Sequence, residues 1–276
     1  MFLMSAHTES TGTVITSPGN PRVKWLVSLR KRRTRDAEGV TVVEGLDELR
    51  LALEAGVRPQ SLFHCPELAG GREWGQVVEE VAAQGAEVFA LGRTVFTKIS
   101  VRESPDGWLA VVPTPGVRLD AVRLRDNALV LVCEAVEKPG NLGAMVRTAD
   151  AAGLDAVLAA SPVADWGNPN VVRASKGAIF AVQVAAASSA EVADWLRRRG
   201  VRIVAASPQS DTSFSELDLT SSTAVVVGAE HEGLDEFWVN EADSVAAIPM
   251  VGRVNSLNVA TAAAIIVYEA VRQRAG

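Results

Sequence analysis

Residues 128–149 read ALVLVCEAVEKPGNLGAMVRTA, the most informative stretch of the chain. The first eight residues are apolar apart from Glu134, as in a strand that is buried on both faces of a sheet. A turn with Gly140 and Gly143 follows, and residues 143–152 have a helical pattern. A glycine-rich turn between strand and helix lets a ligand approach the backbone and directs helix N–H groups at it. The stretch therefore predicts an α/β domain with a ligand site near this turn.

The rest of the C-terminal half repeats this alternation of strand and helix. Continuously apolar strands are typical of a mainly parallel sheet that carries helices on both faces. The expected strands are residues 128–135, 156–160, 182–187, 203–206, 224–227 and 245–248, and the expected helices are residues 143–152, 169–175, 190–199 and 257–273.

The N-terminal half predicts a smaller α/β domain. A helix is expected to open at Asn20-Pro21, and strands and helices alternate after it. The sequence PTPG at residues 113–116 then breaks the pattern, and a short charged stretch follows. The expected strands are residues 40–44, 61–65, 86–91 and 108–112, and the expected helices are residues 46–55, 73–84 and 93–99. We expect a flexible tail over residues 1–12, a domain over residues 13–113, a linker over residues 114–126 and a second domain over residues 127–276.

Composition excludes several classes of protein. The chain has 276 residues, 48% of them hydrophobic and 22% charged, which favours two ordered domains over a disordered protein. No apolar stretch reaches the roughly 18 residues of a membrane span, and no signal peptide pattern is present. Cys65 and Cys133 lie in apolar runs without a CxxC motif, which favours a reducing cytoplasm. The only histidines, His7, His64 and His231, lack the spacing of metal ligands, so no metal is expected.

One basic segment stands out in a chain whose net charge is −6. Between Pro21 and Asp36 the sequence contains seven basic residues and no acidic residue. Such a segment can bind a phosphate backbone locally, or it can be a solvated helix face, and the sequence leaves both interpretations open. The seven residues are Arg22, Lys24, Arg30, Lys31, Arg32, Arg33 and Arg35.

Two further blocks follow predicted strands of the C-terminal half. GAEHEGL, residues 228–234, places glycines around acidic residues at a strand end, where open α/β sheets bind ligands. IPMVGRVNSLNVATAAA, residues 248–264, enters an alanine-rich helix, and Ser256 is the expected N-cap of that helix. Asn258 is a poor helix former and is less expected there.

In the first block, Asn141 is expected in the turn, and Arg147 lies about two helical turns further on. Both side chains can then face one site. Each block also has an ordinary structural explanation: a helix cap for Asn141, a surface salt bridge for Arg147, and a tight turn for residues 228–234.

Together, the three blocks resemble the signature motifs of the SpoU/TrmH family, the 2′-O-methyltransferase branch of the SPOUT superfamily. Asn141, Gly143 and Arg147 match the first motif, GAEHEG the second, and residues 248–259 the third. Ala260-Thr261, where relatives often carry Ser-Val, lies beyond the motif. Residues 15–112 resemble, more loosely, the substrate-binding domain of many SpoU enzymes, which is similar to an RNA-binding ribosomal-protein fold.

The resemblance implies S-adenosylmethionine-dependent 2′-O-methylation of a ribose in RNA, with 23S ribosomal RNA favoured over tRNA. It also implies a deep trefoil knot in the C-terminal domain, a homodimer with its active site at or near the interface, and a cytoplasmic location. Arginine makes up 22 of the 27 basic residues, which suggests a GC-rich bacterial genome, where some relatives confer resistance to a ribosome-targeting antibiotic. Two alternatives are a non-catalytic RNA-binding protein on the same fold and a Rossmann-like nucleotide enzyme, although the GxGxxG pattern of the latter is missing.

The resemblance also implies roles for individual residues. Arg147 is expected to organise phosphate and developing charge more than to act as a base, because the pKa of arginine lies above about 12. The catalytic residues are expected to be Arg147, Asn141, Glu230, Ser256 and Asn258. The residues expected to hold the cofactor, mainly through backbone groups, are Gly228, Ala229, Glu230, Gly233, Ile248, Met250, Ser256 and Leu257.

Overall fold

A computed structural model describes residues 14–70, 74–229 and 233–275 of the chain. Within these residues, a four-stranded sheet forms in the N-terminal half and a six-stranded sheet in the C-terminal half. The predicted α/β class is confirmed, and most predicted elements lie within a few residues of the observed ones. No helix among the described residues is both long and apolar enough to cross a membrane.

The N-terminal sheet is mixed. In chain order, this half contains α1 (Pro21–Ser28), α2 (Arg32–Glu38), β1 (Val40–Glu44), α3 (Leu46–Glu54), β2 (Ser61–His64), α4 (Trp74–Ala83), β3 (Glu87–Ala90), α5 (Arg93–Ile99) and β4 (Trp108–Pro113). The strand order is β1-β4-β2-β3, with β2 and β3 parallel and β4 antiparallel to both of its neighbours.

The basic segment is divided between two helices, α1 and α2. Asn20 caps α1 by accepting a hydrogen bond from the backbone N–H of Arg22 at 2.9 Å, and α2 ends at Gly39.

The C-terminal sheet is parallel throughout. This half contains β5 (Leu129–Glu134), α6 (Pro139–Ala151), β6 (Ala156–Ala160), α7 (Pro169–Ala174), β7 (Gln183–Ala187), α8 (Ser189–Arg198), β8 (Arg202–Ala206), β9 (Thr223–Val227), α9 (Glu236–Glu241), β10 (Ser244–Ala246) and α10 (Val259–Ala275). The strand order is β10-β8-β9-β5-β6-β7, and every neighbouring pair is parallel.

The central strand β5 explains why its sequence is apolar without alternation. All six of its residues are buried. Leu131 and its same-face neighbours pack in one cluster with residues of α6, α7 and α10, whereas Val130 and Val132 pack in a second cluster with residues of α8 and α9. A strand covered by helices on both faces needs apolar side chains at every position.

Two helix starts differ from the sequence-based prediction. α6 begins at Pro139, four residues before the predicted start, because proline is preorganised for the first helical position. Asn141 therefore lies in the first turn of the helix and not in the preceding turn. α10 begins at Val259, so Ser256 is not its N-cap. Asn258 takes that position, because its Oδ1 accepts hydrogen bonds from the backbone N–H groups of Ala260 at 3.0 Å and Thr261 at 3.3 Å.

The two halves pack against each other along α2, β1 and the region around α7. Arg35 donates from Nη2 to both carboxylate oxygens of Asp165, at 3.1 and 3.0 Å. Thr41, a buried residue of β1, donates from its hydroxyl to the carbonyl of Gly167 at 2.6 Å. The segment between β4 and β5 also contacts the C-terminal sheet, because the backbone N–H of Val117 donates to the carbonyl oxygen of Val184 in β7 at 2.9 Å. These contacts fix the N-terminal domain beside α7.

Candidate active site

A cavity of about 120 Å³ opens at the carboxyl ends of β8, β9 and β10. Open parallel sheets bind ligands at this edge, because strand ends and the following loops converge there. All seven described residues that were expected to hold a cofactor line this one cavity. The lining consists of Ala206, Ser207, Pro208, Val227, Gly228, Ala229, Gly233, Ala246, Ile248, Met250, Ser256, Leu257, Val259, Ala262 and Ile266.

The lining residues that the structure describes are uncharged. Its side chains are mostly aliphatic, and the serine hydroxyls of Ser207 and Ser256 are the polar side-chain groups among the described lining residues. Backbone N–H and C=O groups of the loops supply the remaining polarity. Such a site binds a ligand by apolar contact and orients it with a few backbone hydrogen bonds.

Gly228, Ala229 and Gly233, in the loop after β9, form one wall of the cavity. The loop closes on itself, with the N–H of Gly233 donating to the carbonyl of Ala229 at 3.0 Å. A Cβ at Gly228 would lie 2.1 Å from the carbonyl oxygen of Gly233, closer than real Cβ contacts allow. Gly233 has φ +72°, in the left-handed region that favours glycine. Gly228 is therefore required by closure of the loop itself. Glu230, expected in both roles, lies outside the described residues.

Asn141 and Asn258 connect the first and third sequence blocks. The Nδ2 of Asn258 donates to the Oδ1 of Asn141 at 3.1 Å. Because Asn258 also caps α10, a single side chain fixes the start of α10 and contacts the first turn of α6. The sequence placed these two residues in one site, and the structure brings them into contact 117 residues apart in the chain.

Arg147 lies away from this contact. It is exposed on α6, it does not line the cavity, and its side chain has no hydrogen bond or ion pair with any residue that the structure describes. Six residues along a helix correspond to about 600° of rotation, so Arg147 and Asn141 project roughly 120° apart. Within one chain, the two side chains therefore leave α6 in different directions. The guanidinium of Arg147 is open to an anion from outside the chain.

The basic segment separates into residues with different surroundings. Arg35 is only 2% exposed, and it donates to the carbonyls of Leu29 and Arg30 as well as to Asp165. We therefore leave Arg35 out of any RNA-binding surface, since its guanidinium binds within the protein.

The other basic residues are exposed, but some have partners. Arg22 forms an ion pair with Glu87 at 3.1 Å and stacks over Phe89. Arg32 lies beside Asp36 and Asp165. Within the described part of the chain, no side-chain partner is found for Lys24, Lys31 or Arg33, and Arg30 donates to one carbonyl, that of Ile99. These four residues present the most available positive charge of the segment.

Sequence reasoning missed part of the cavity. Ser207 and Pro208 directly follow β8, as Gly228 follows β9. The rule that ligands bind at the carboxyl ends of parallel strands pointed to them. Ala262 and Ile266 were missed because an alanine-rich helix does not reveal from its composition which face lines a cavity.

Comparison with known proteins gives concordant matches along the chain. The SpoU rRNA Methylase family matches residues 128–268, and the MRM3-like substrate binding domain matches residues 20–110. The chain is 32% identical to a 23S rRNA (uridine(2479)-2′-O)-methyltransferase of Streptomyces viridochromogenes, over 94% of this chain and 92% of that protein. It is 31% identical to the 23S rRNA (guanosine(2553)-2′-O)-methyltransferase RlmP of Bacillus subtilis, over 92% of this chain and 97% of that protein. A crystal structure of an AdoMet-bound rRNA methyltransferase from Sinorhizobium meliloti superposes with a TM-score of 0.87 at 29% identity, covering 94% of this chain and 97% of that one.

Proposed function

Because the chain belongs to the SpoU rRNA methylase family, we propose that it is an enzyme that methylates a ribose 2′-oxygen of ribosomal RNA, with S-adenosylmethionine as the methyl donor. The observation that carries this proposal is the cavity at the carboxyl ends of β8, β9 and β10. Described residues of the second and third family motifs line it, and the contact between Asn258 and Asn141 joins it to the first motif.

The lining of the cavity suits this cofactor. Bound S-adenosylmethionine would supply an electrophilic methyl group. Ile248, Met250 and Leu257 would hold the adenosyl group by apolar contact, and backbone groups of Gly228, Ala229 and Gly233 would provide hydrogen bonds to it. The described lining residues carry no charged side chain, so they would recognise the cofactor by shape and through backbone groups.

The residues of the chain have to position the hydroxyl and stabilise the charge that develops when its proton leaves. We assign Arg147 to this task through a phosphate of the substrate, since an exposed guanidinium donates to phosphate oxygens in a bidentate manner. Asn141 and Asn258 would orient the reacting nucleotide, and Ser256 would shape the pocket. Glu230 is proposed for the same site on family grounds alone.

The homodimer and the knot belong to the same proposal. Val251 and Val254 before α10, and Ile265 and Tyr268 on α10, are exposed apolar residues near in the chain to residues that line the cavity. A second copy that covers these residues would narrow the mouth of the cavity. The knot is proposed on family grounds, and in that region residues 247–258 lead from the edge strand β10 to α10, which packs on β9 and α6. Analytical ultracentrifugation tests the dimer, since a monomer at micromolar concentration would contradict it.

We propose that the two expected domains have different functions. Residues 13–113 bind RNA, with Lys24, Lys31 and Arg33 as available cations, and residues 127–276 carry out methyl transfer. Ribosomal RNA is favoured over tRNA because the relatives reported above are named for 23S rRNA. The cytoplasmic location and a role in antibiotic resistance stay predictions.

Methyl transfer from labelled S-adenosylmethionine tests the proposed function. The purified full chain is incubated with 23S rRNA, with 16S rRNA or with bulk tRNA, and the labelled RNA is mapped for 2′-O-methyl ribose. We expect one modified nucleotide in 23S rRNA. Labelling of tRNA alone would favour the tRNA alternative. Binding of the cofactor and of RNA without any transfer would favour the non-catalytic alternative.

A further inference from the structure

A crevice lies where α1, β1 and α5 of the N-terminal domain meet α7 of the C-terminal domain. Its floor is apolar, with Leu26, Ile99 and Leu109 almost fully buried. Two arginines, Arg30 from the N-terminal domain and Arg173 from α7, line the same crevice and are exposed to solvent. The crevice is therefore an apolar slot with a guanidinium contributed by each domain.

Both guanidiniums have N–H groups that make no hydrogen bond within the described residues. Arg30 uses Nη2 to donate to the carbonyl of Ile99 at 2.7 Å, and no other side-chain bond of Arg30 is found within the described residues. Arg173 has no side-chain hydrogen bond or ion pair in that part of the chain. The carboxylate of Glu44 also lines the crevice, but it accepts hydrogen bonds from the Ser100 hydroxyl and from the backbone N–H of Val101 at 3.0 Å. The excess charge that faces solvent is positive.

α7 lies between this crevice and α6, the helix of the catalytic domain that carries Asn141 and Arg147. The two helices are in close contact, because a Cβ at Gly143 would lie 2.6 Å from the carbonyl oxygen of Val171. The crevice is thus about one helix diameter, roughly 10 Å, from α6. An RNA strand whose ribose is at the active site therefore needs only a short stretch to reach the crevice.

We propose that Arg30 and Arg173 together bind one phosphodiester group of the RNA substrate close to the methylated nucleotide. The inference rests on the proposed function and adds a substrate contact from α7. Paired guanidiniums suit a phosphodiester, because each donates several N–H groups to its oxygens. The crevice also continues the basic surface of Lys31 and Arg33, which follow Arg30 in the chain. Since the two arginines come from different domains, the site exists only while the domains are docked.

RNA affinity of the full chain over a series of salt concentrations tests the proposal. The variants are Arg30→Ala, Arg173→Ala and the double variant, and Arg58→Ala is the control because Arg58 is exposed and lies outside the crevice. We expect each single variant to bind RNA about tenfold more weakly, as for a lost charged hydrogen bond. Each should lower the slope of log affinity against log salt by about 0.7–0.9, the value for one phosphate. In the double variant, the slope of log affinity against log salt should be no lower than in the single variants, because both arginines bind the same phosphate.

Two outcomes would overturn the proposal. Unchanged RNA affinity in both single variants would show that RNA does not cross the crevice. Slopes that fall additively in the double variant would show that the arginines bind different phosphates. Cofactor affinity should stay unchanged in every variant, and it reports whether the protein is folded. The variant Arg30→Lys keeps the charge of Arg30 but loses its bidentate contact with the phosphate. Failure of the wild-type chain to methylate any RNA would count against the proposed function, whereas normal methylation with unchanged affinity in the variants counts against this site alone.

Discussion

Asn258 shows why single residues were harder to predict than the motif that contains them. The sequence SLN offers two good capping residues, and the pattern favoured Ser256. The structure places Asn258 at the cap, because Ile248, Met250, Ser256 and Leu257 line the cavity and the helix starts only at Val259. Local propensity could not reveal this, since the partner Asn141 is distant in the chain.

The variant Asn258→Asp distinguishes the capping of α10 by the Oδ1 of Asn258 from the hydrogen bond of its Nδ2 to Asn141. Aspartate caps helices as well as asparagine, so we expect the thermal stability to change little. The Nδ2 donor to Asn141 is lost, and we expect kcat for methyl transfer to fall at least tenfold. Asn258→Ala serves as the control, because it also loses the cap and should destabilise the protein by about 1 kcal/mol. Normal turnover in Asn258→Asp would assign the residue to capping alone.

Arg147 carries the electrostatic role in the proposed mechanism. We expect Arg147→Ala to lower single-turnover methyl transfer by at least about 100-fold, the loss typical of a donor that stabilises transition-state charge. Cofactor affinity, measured by calorimetry, should stay near the wild-type value, because Arg147 is exposed and does not line the cavity. Turnover close to that of the wild type would contradict the assignment.

At the scale of elements, strands were predicted more accurately than helix ends. β5 was recognisable because both of its faces are covered, which leaves an uninterrupted apolar run. The start of α6 was placed too late because its first turn, Pro139 to Leu142, contains the proline and glycine that also mark loops. The role of α9 could not be inferred from sequence, since it depends on a contact with β5.

That contact joins Trp238 of α9 to Glu134 at the end of β5. The Nε1 of Trp238 donates to the buried carboxylate at 2.5 Å, and the hydroxyl of Ser189 donates to the same oxygen at 2.7 Å. α9 follows directly after the loop that forms the wall of the cavity, with Asp235 capping it. The bond between Trp238 and Glu134 therefore holds α9, and through it the loop, against the sheet.

Trp238→Phe removes this bond and keeps most of the ring. A buried carboxylate that loses a donor costs about 1–3 kcal/mol of stability, so we expect a lower Tm together with weaker cofactor binding. Trp195→Phe is the matched control, because Trp195 packs in the same cluster while its Nε1 has no partner among the described residues. Equal effects of the two substitutions on cofactor affinity would exclude a specific role for the bond.

At the scale of the whole molecule, the arrangement of the domains sets which charges face RNA. Arg33 and Arg35 are equivalent in the sequence, but Arg35 is buried against Asp165, 130 residues away. Such a long-range pair has no local signal, so the basic segment was predicted as one surface. Its exposed remainder, with Arg173, gives an acidic protein a locally basic face beside α7.

Mapping of 2′-O-methyl ribose on ribosomal RNA and tRNA, in cells with and without the gene, is the sharpest test of whether this chain methylates 23S rRNA. We expect one nucleotide of 23S rRNA that is methylated only when the gene is present. The mark should return with the wild-type gene and stay absent with the Arg147→Ala variant. Identical methylation maps in the two strains, or a gene-dependent mark found only in tRNA, would contradict the assignment of this chain as a 23S rRNA methyltransferase.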